Sequence, residues 1–359
     1  MKVLAVNSSP RSSGQSKTEL MLEYLVDGMR DAGADVEVVH LRKKKIRNCL
    51  GCFICWTKTP GKCVQKDDMT SELLPKVLQS DLVVYATPLY FHTMNSMMST
   101  FLERHLPAAL PFFQQNEAKT VHPLRQKIPK AVWLSVCGFP EDAEFDMLSA
   151  QLHNLYDHED VELVAEIYRP AAEVLTTTVF KDKVEDILDA TRQAGRELTE
   201  SLSISTETIA RIKQPIIERS FLATIGNLMW NTCISEGVTL KEFLDKKMVP
   251  RPDSIETFMM IMPYGFNSQV VDDEEVIVQF NFTGEVPGSC YFTIQKDNIQ
   301  ANSGVSSKPT LTVESPFEVW MDIITRKADG QQMLMEQRYK VEGDLLLMVQ
   351  LYQRENGNE

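Results

Sequence analysis

Four of the seven cysteines fall within fifteen residues, at Cys49, Cys52, Cys55 and Cys63. Three thiolates spaced two residues apart can curl around one iron–sulfur cluster, and a fourth would complete four-iron ligation. Tetrahedral zinc is a second option, although it commonly uses two separated Cys pairs. Cysteines that hold no metal are a third. Cys137, Cys233 and Cys290 are scattered, so the set is not a disulfide framework, and a reducing, cytoplasmic setting is expected.

A second chemical stretch opens the chain. The apolar run Lys2–Val6 leads into Asn7–Ser–Ser–Pro–Arg–Ser–Ser–Gly–Gln–Ser16, and a helical pattern starts at Lys17. A hydroxyl-rich loop containing Gly14, set against a helix N-terminus, can wrap an anion. Ser16 and Glu19 stand at capping-box spacing. The plain alternative is an ordinary capped turn. Further along, Ala86–Thr–Pro–Leu–Tyr–Phe–His–Thr–Met94 presents Leu89, Tyr90 and Phe91 as an apolar surface for a flat ring, with Pro88 expected to end a strand. Its alternative is a loop that caps the core or meets a second subunit. Ser135–Val–Cys–Gly–Phe–Pro140 offers Gly138 for close backbone approach and Phe139 to border the same ring, or is a simple turn. His92 reads as a rim histidine, and Cys137 as a small filler rather than a nucleophile, with no partner base in view. Leu41–Arg–Lys–Lys–Lys–Ile–Arg47 reads as a solvated basic segment.

These stretches need elements that bring them together. Apolar runs at Lys2–Val6, Val36–Leu41, Leu82–Ala86, Ala131–Val136 and Leu163–Tyr168 lack clean alternation, as expected of strands buried on both faces of a parallel sheet. Helical patterns lie between them, including a face of Met69, Leu73 and Val77 that contains Pro75. The result is an α/β, doubly wound five-stranded sheet, with ligand loops beyond the carboxyl ends of its strands. After a helical stretch the pattern turns to strands at Phe258–Met262, Val276–Phe282, Cys290–Gln295, Thr310–Val313 and Leu345–Tyr352, mostly antiparallel, with two helices before the last. This divides the 359 residues into a first domain, 1–202, a helical linker, 203–252, and an α+β domain, 253–359. A net charge of −13 argues against nucleic-acid partners, and no apolar run reaches membrane-spanning length.

Val6–Asn–Ser–Ser–Pro–Arg11 with Gly14–Gln–Ser16 resembles the phosphate loop of the flavodoxin-like NAD(P)H-dependent FMN reductases. Thr87–Pro–Leu–Tyr90 and Cys137–Gly–Phe–Pro140 resemble that family's other flavin loops. The resemblance implies that Ser9, Arg11, Gln15, Ser16, Lys17 and Thr18 hold the FMN phosphate. It implies that Thr87, Pro88, Leu89, Tyr90 and Phe91, with Ser135, Cys137, Gly138 and Phe139, line the rest of the flavin. Ser8 departs from the family's usual Gly. The cysteine spacing, with Lys66–Asp–Asp–Met69 after it, is similar to the iron–sulfur flavoprotein branch of the same fold, and implies a [4Fe–4S] cluster as one option. Val278–Gly284, Thr310–Val313 and Tyr339–Leu347 look like the sterol carrier protein-2 fold, which implies a lipid or acyl ligand beside Phe258, Met259, Met260, Met262, Phe280, Phe282, Phe292, Met333, Met335 and Met348. Together these imply an oxidoreductase passing electrons from NAD(P)H through FMN to a small-molecule or protein acceptor, as a homodimer by analogy. The alternative is a lipid carrier or sensor in which the flavin domain is regulatory.

Overall fold

The computed structural model describes every residue except 13, 116–119, 158–160, 178, 272–274, 297 and 353–359. The chain divides into two compact units, Met1–Ile216 and Ile217–Glu359.

In the first unit, strands β1 (Lys2–Asn7), β2 (Asp35–His40) and β3 (Leu82–Tyr90) alternate with helices α1 (Lys17–Asp31) and α2 (Leu74–Leu78). A short β4 (Thr93–Met94), α3 (Ser96–Glu103) and the hairpin β5 (Gln114–Gln115) and β6 (Thr120–Val121) follow. The unit closes with β7 (Lys130–Val136), α4 (Asp146–Leu155), β8 (Leu163–Arg169), α5 (Lys181–Ser201) and α6 (Thr206–Lys213). The five long strands run parallel in the order β2-β1-β3-β7-β8. Val3 to Val6 are all buried, which is why β1 reads as an unbroken apolar run.

Every second residue of the central strands (Leu4, Val6, Val83, Tyr85, Ala131, Trp133) joins Met69, Leu73, Met98, Phe101 and Leu148 in one core. Trp133 stacks on Tyr85 with ring centroids 4.8 Å apart and donates its indole N–H to the Tyr156 hydroxyl at 3.1 Å. Helices α1 and α5 pack together through glycine. A Cβ at Gly28 would overlap the Arg192 carbonyl, and one at Gly195 would overlap that of Leu25.

Pro75 shapes its helix more than the sequence pattern implies. The segment starts as a π-helical turn, Met69–Leu73, and becomes α-helical only at Leu74, with Pro75 in its first turn, where a missing N–H costs little. At the far end of this unit Arg169 is buried and donates to the carbonyls of Ile212 and Gln214 at 2.7 and 2.8 Å, tying α6 and the residue after it to β8. Burial pushes its guanidinium down to about 10.

The second unit holds α7 (Arg219–Glu236), α8 (Leu240–Asp245), α9 (Ile255–Ile261), β9 (Val276–Thr283), β10 (Gly288–Gln295), β11 (Asn298–Ser303), β12 (Leu311–Pro316), α10 (Phe317–Ile324), α11 (Gly330–Met335), β13 (Lys340–Gly343) and α12 (Leu345–Tyr352). Its sheet runs β11-β10-β9-β12-β13, antiparallel except where β9 and β12 pair in parallel. Two expected strands are helices. Ser254 and Thr257 cap each other's backbone in a reciprocal box, so Phe258–Met262 continues a helix begun at Ile255. In Leu345–Tyr352 the buried residues are Met348 and Leu351, while Leu345 and Leu346 are exposed, which is a helical period. Phe258, Phe280, Phe282 and Phe292 close on one another, with ring centroids 5.1 to 5.8 Å apart. Met262 and Met348 are buried with them, but Met335, expected beside a lipid, is exposed.

Candidate functional site

The parallel register sets the carboxyl ends of β1, β3 and β7 side by side, with Asn7 opposite Ala86 and Thr87 opposite Ser135. The three loops predicted to bind a ligand therefore leave from one edge of the sheet.

The first loop is fixed from within. Asn7, buried, accepts the Ser9 N–H on Oδ1 at 2.8 Å. Ser16 donates its hydroxyl to Ser9 Oγ at 2.7 Å and accepts the Glu19 N–H at 3.0 Å, which starts α1 at Lys17. Glu19 does not close the capping box. Its carboxylate instead takes Arg42 at 3.0 Å and lies 3.7 Å from His40. Gly14 adopts φ +83°, a conformation that costs a residue with a Cβ. Ser9, Ser16, Lys17 and Thr18 are buried at the start of α1, where the first backbone N–H groups lack helical partners. Gln15 is partly buried beside them.

Arg11 and Lys17 converge on one carboxylate. Glu173, on the single turn Ala172–Thr176 that follows β8, places Oε1 2.7 Å from Arg11 and Oε2 3.6 Å from Lys17. Its hydrogen bond holds the Arg11 guanidinium above its ordinary pKa against the effect of burial, with Tyr90 of the second loop adding to the same side. Glu173 also reaches the third loop, where a Cβ on Gly138 would lie 3.9 Å from its Cγ.

The second loop corrects the expectation that Pro88 ends its strand. Strand β3 runs on through Pro88 and Leu89 to Tyr90 and turns back into β4, pairing Tyr90 with Thr93. The two turn residues, Phe91 and His92, both have positive φ, +49° and +62°. That is the pattern of a type I′ hairpin, normally the place of Asn and Gly. Phe91 is thrust into solvent at 96% exposure, and Tyr90 is exposed beside it. His92, half exposed, lies 3.1 Å from Glu144. Asn95, which sequence reasoning missed, clips two loops together. Its Nδ2 donates to the Ser8 carbonyl at 2.7 Å, its backbone N–H donates to Thr87 Oγ1 at 3.2 Å, and its Oδ1 caps α3 through the Met98 N–H. A polar residue at helix-cap spacing was the available signal.

The third loop is held by the chain after β8. Ala171 N–H donates to Phe139 O at 2.7 Å and Ala172 N–H to Cys137 O at 2.8 Å. Cys137 donates its thiol to Phe139 O at 3.2 Å, and burial pushes it up to about 11, so it stays protonated at neutral pH. Phe139 is exposed, and Ser135 Oγ is buried with no hydrogen-bond partner among the described residues. An orphaned hydroxyl, exposed aromatic faces and a cationic helix start form a donor set that fits a phosphorylated, flat-ringed group such as FMN.

The four cysteines line one cavity with Leu50, Phe53, Val64, Glu103 and Arg104. Cys55 is pushed up by burial and by the neighbouring thiols of Cys63, Cys52 and Cys49, so all four influence one site. Among the described residues, no three His, Cys, Asp or Glu side chains gather about a single ion position. A ring of thiols around a cavity is the donor chemistry of a multi-atom iron–sulfur cluster. Glu103 also lines a groove with Asn48, Tyr90, Phe91, Thr93 and Asn95, so the cysteine cavity and the second loop adjoin at α3. In the basic stretch before the cysteines, Lys43, Lys45 and Arg47 are exposed as expected, while Lys44 pairs with Glu72 at 2.6 Å and the backbone N–H groups of Lys45 and Arg47 bond to Asp68 and Asp67.

An iron–sulfur flavoprotein of Archaeoglobus fulgidus is 40% identical over 107 residues, 30% of this chain and 46% of that protein, so the chain spans about half of that relative's length. The iron–sulfur flavoprotein MJ1083 of Methanocaldococcus jannaschii is 26% identical over 57% of this chain and 98% of its own length. The solved NAD(P)H:quinone oxidoreductase of Methanothermobacter marburgensis aligns over 55% of this chain and 96% of its own, at 19% identity and a TM-score of 0.41. Residues 1–132 match the NADPH-dependent FMN reductase family and residues 273–353 the SCP-2 sterol transfer family, so the chain joins a region of each in that order.

Proposed function

We propose that the first unit is an FMN-dependent NAD(P)H oxidoreductase that delivers electrons to a small-molecule or protein acceptor, with a [4Fe–4S] cluster at Cys49, Cys52, Cys55 and Cys63. Bound FMN would accept hydride from reduced nicotinamide, and a cluster would carry single electrons. The observation that carries this reading is the meeting of three loops at one sheet edge, where Arg11 and Lys17 share an anion seat at the start of α1. Ser9, Ser16 and Thr18, with the first N–H groups of α1, would hold the phosphate, and Gln15 stands at its rim. Thr87 to Phe91 and Ser135 to Phe139 would orient the ring, and Tyr90, Phe91 and Phe139 would shield it from water. We place the protein in the cytoplasm and expect a homodimer, consistent with exposed Phe112 and Phe113 near the hairpin β5–β6.

The deciding measurement is on protein purified without oxygen: absorption spectrum, extracted flavin, and iron and sulfide per chain. Bound FMN with about four irons supports the full reading. FMN without iron removes the cluster, and failure to bind added FMN overturns the oxidoreductase.

The match of residues 273–353 to a sterol transfer family favours a second reading, a lipid carrier or sensor regulated by the flavin unit. Tight acyl or sterol binding without NAD(P)H turnover would support it.

A further inference from the structure

Arg104 ends α3 and reaches the cysteine cavity with its guanidinium almost fully buried. Its Nη1 donates to the Arg47 carbonyl and to Asp67 Oδ2, both at 2.6 Å. Its Nη2 donates to Asp67 Oδ1 and Thr70 Oγ1, both at 3.1 Å, and to Cys63 Sγ at 3.4 Å. Arg47 stands two residues before Cys49, and Cys63 is the last thiol of the set, so one side chain grips both ends of the cysteine stretch. The fork with Asp67 fixes the guanidinium plane, because two parallel N–H···O bonds leave it no rotation.

We propose that Arg104, oriented by Asp67, is a positioning residue that holds Cys63 as a ligand and raises the reduction potential of a cluster bound there; this rests on the cluster reading above. Adding one electron to a thiolate-bound cluster makes it one unit more negative. A cation in contact with a ligand sulfur therefore stabilises the reduced form more than the oxidised one. With the Arg104 and Asp67 side chains 1% and 2% exposed, solvent and salt screen this effect little. Asp67 has a second, opposing effect, since its carboxylate offsets part of the Arg104 charge. The two residues therefore pull the potential in opposite directions, which a purely structural role would not do.

The test uses the full chain, reconstituted without oxygen with ferrous iron and sulfide. Iron per chain and the midpoint potential are read by dye-linked titration with electron paramagnetic resonance. In R104Q the potential falls by the equivalent of about tenfold in the reduction equilibrium, about 59 mV for one electron. In D67N it rises, and in R104K, which keeps the charge, it stays nearer the wild-type value. Shifts in the same direction, or none, in R104Q and D67N overturn the proposal while leaving the cluster reading intact. If R104Q does not fold, D67N decides: a higher potential supports the proposal and an unchanged one overturns it. A wild-type chain that takes up no iron overturns the cluster reading and this inference with it.

Discussion

Glu173 would be a resident competitor in the proposed anion site. Its carboxylate bridges Arg11 and Lys17, the two cations that a flavin phosphate would also need. Exposed ion pairs contribute up to about 1 kcal/mol, so E173Q is expected to tighten FMN binding about threefold. Riboflavin, which lacks the phosphate, should bind both forms equally; flavin fluorescence quenching measures both. Asp67 carries a different consequence. Burial alone would raise its carboxyl, but Arg104 and the backbone N–H groups of Arg47 and Thr70 hold it down at about 2. A carboxyl depressed on folding contributes stability above its unfolded pKa of about 4, and that stability is lost as pH falls towards 2. The unfolding free energy of the first unit, from urea titration, should drop between pH 5 and pH 2.5 by about 2 kcal/mol more in wild type than in D67N.

At the scale of elements, the α1–α5 contact is the tightest constraint. Alanine has the better helix propensity, yet its Cβ at Gly28 or Gly195 would overlap a carbonyl of the opposite helix. Either substitution should cost about 1–3 kcal/mol of net stability, read as a lowered thermal midpoint. Asn95→Ala removes a helix cap and the side-chain bond to the Ser8 carbonyl, while the backbone bond to Thr87 stays. It should cost about 2 kcal/mol and weaken flavin binding, although Asn95 need not touch flavin. The inner strands β1, β3 and β7 were legible because burial on both faces leaves each a nearly unbroken apolar run, whereas the outer strands β2 and β8 are less buried and carry Glu37 and Glu166. Helix α12 was not, since eight nearly all-apolar residues carry no period from which helix and strand can be told apart. The cation, hydroxyl and aromatic residues of the three loops were visible as types. Asn95, Arg104 and Glu173 were hidden because their bonds reach 87, 41 and 162 residues along the chain, which no local pattern encodes.

At the scale of the molecule, the first unit is complete only when α6 is included. A fragment ending at residue 202 would leave buried Arg169 without the carbonyls of Ile212 and Gln214. Residues 1–216 should therefore unfold cooperatively and bind flavin, while residues 1–202 should be less stable by about 3 kcal/mol or more. Calorimetry of the two fragments checks this.

The same sheet order has a consequence in time. Strand β1 is made before β2, β3 and β7, yet it lies inside the sheet between β2 and β3, and β3 must wait for β7. Among the described residues, the sheet of the first unit takes no strand from beyond residue 216. Synthesis of residues 217–359 takes on the order of ten seconds, longer than most domains need to fold. A nascent chain can thus complete the proposed anion seat while residues 217–359 are still being translated, so that on the reading proposed above cofactor loading begins on the ribosome.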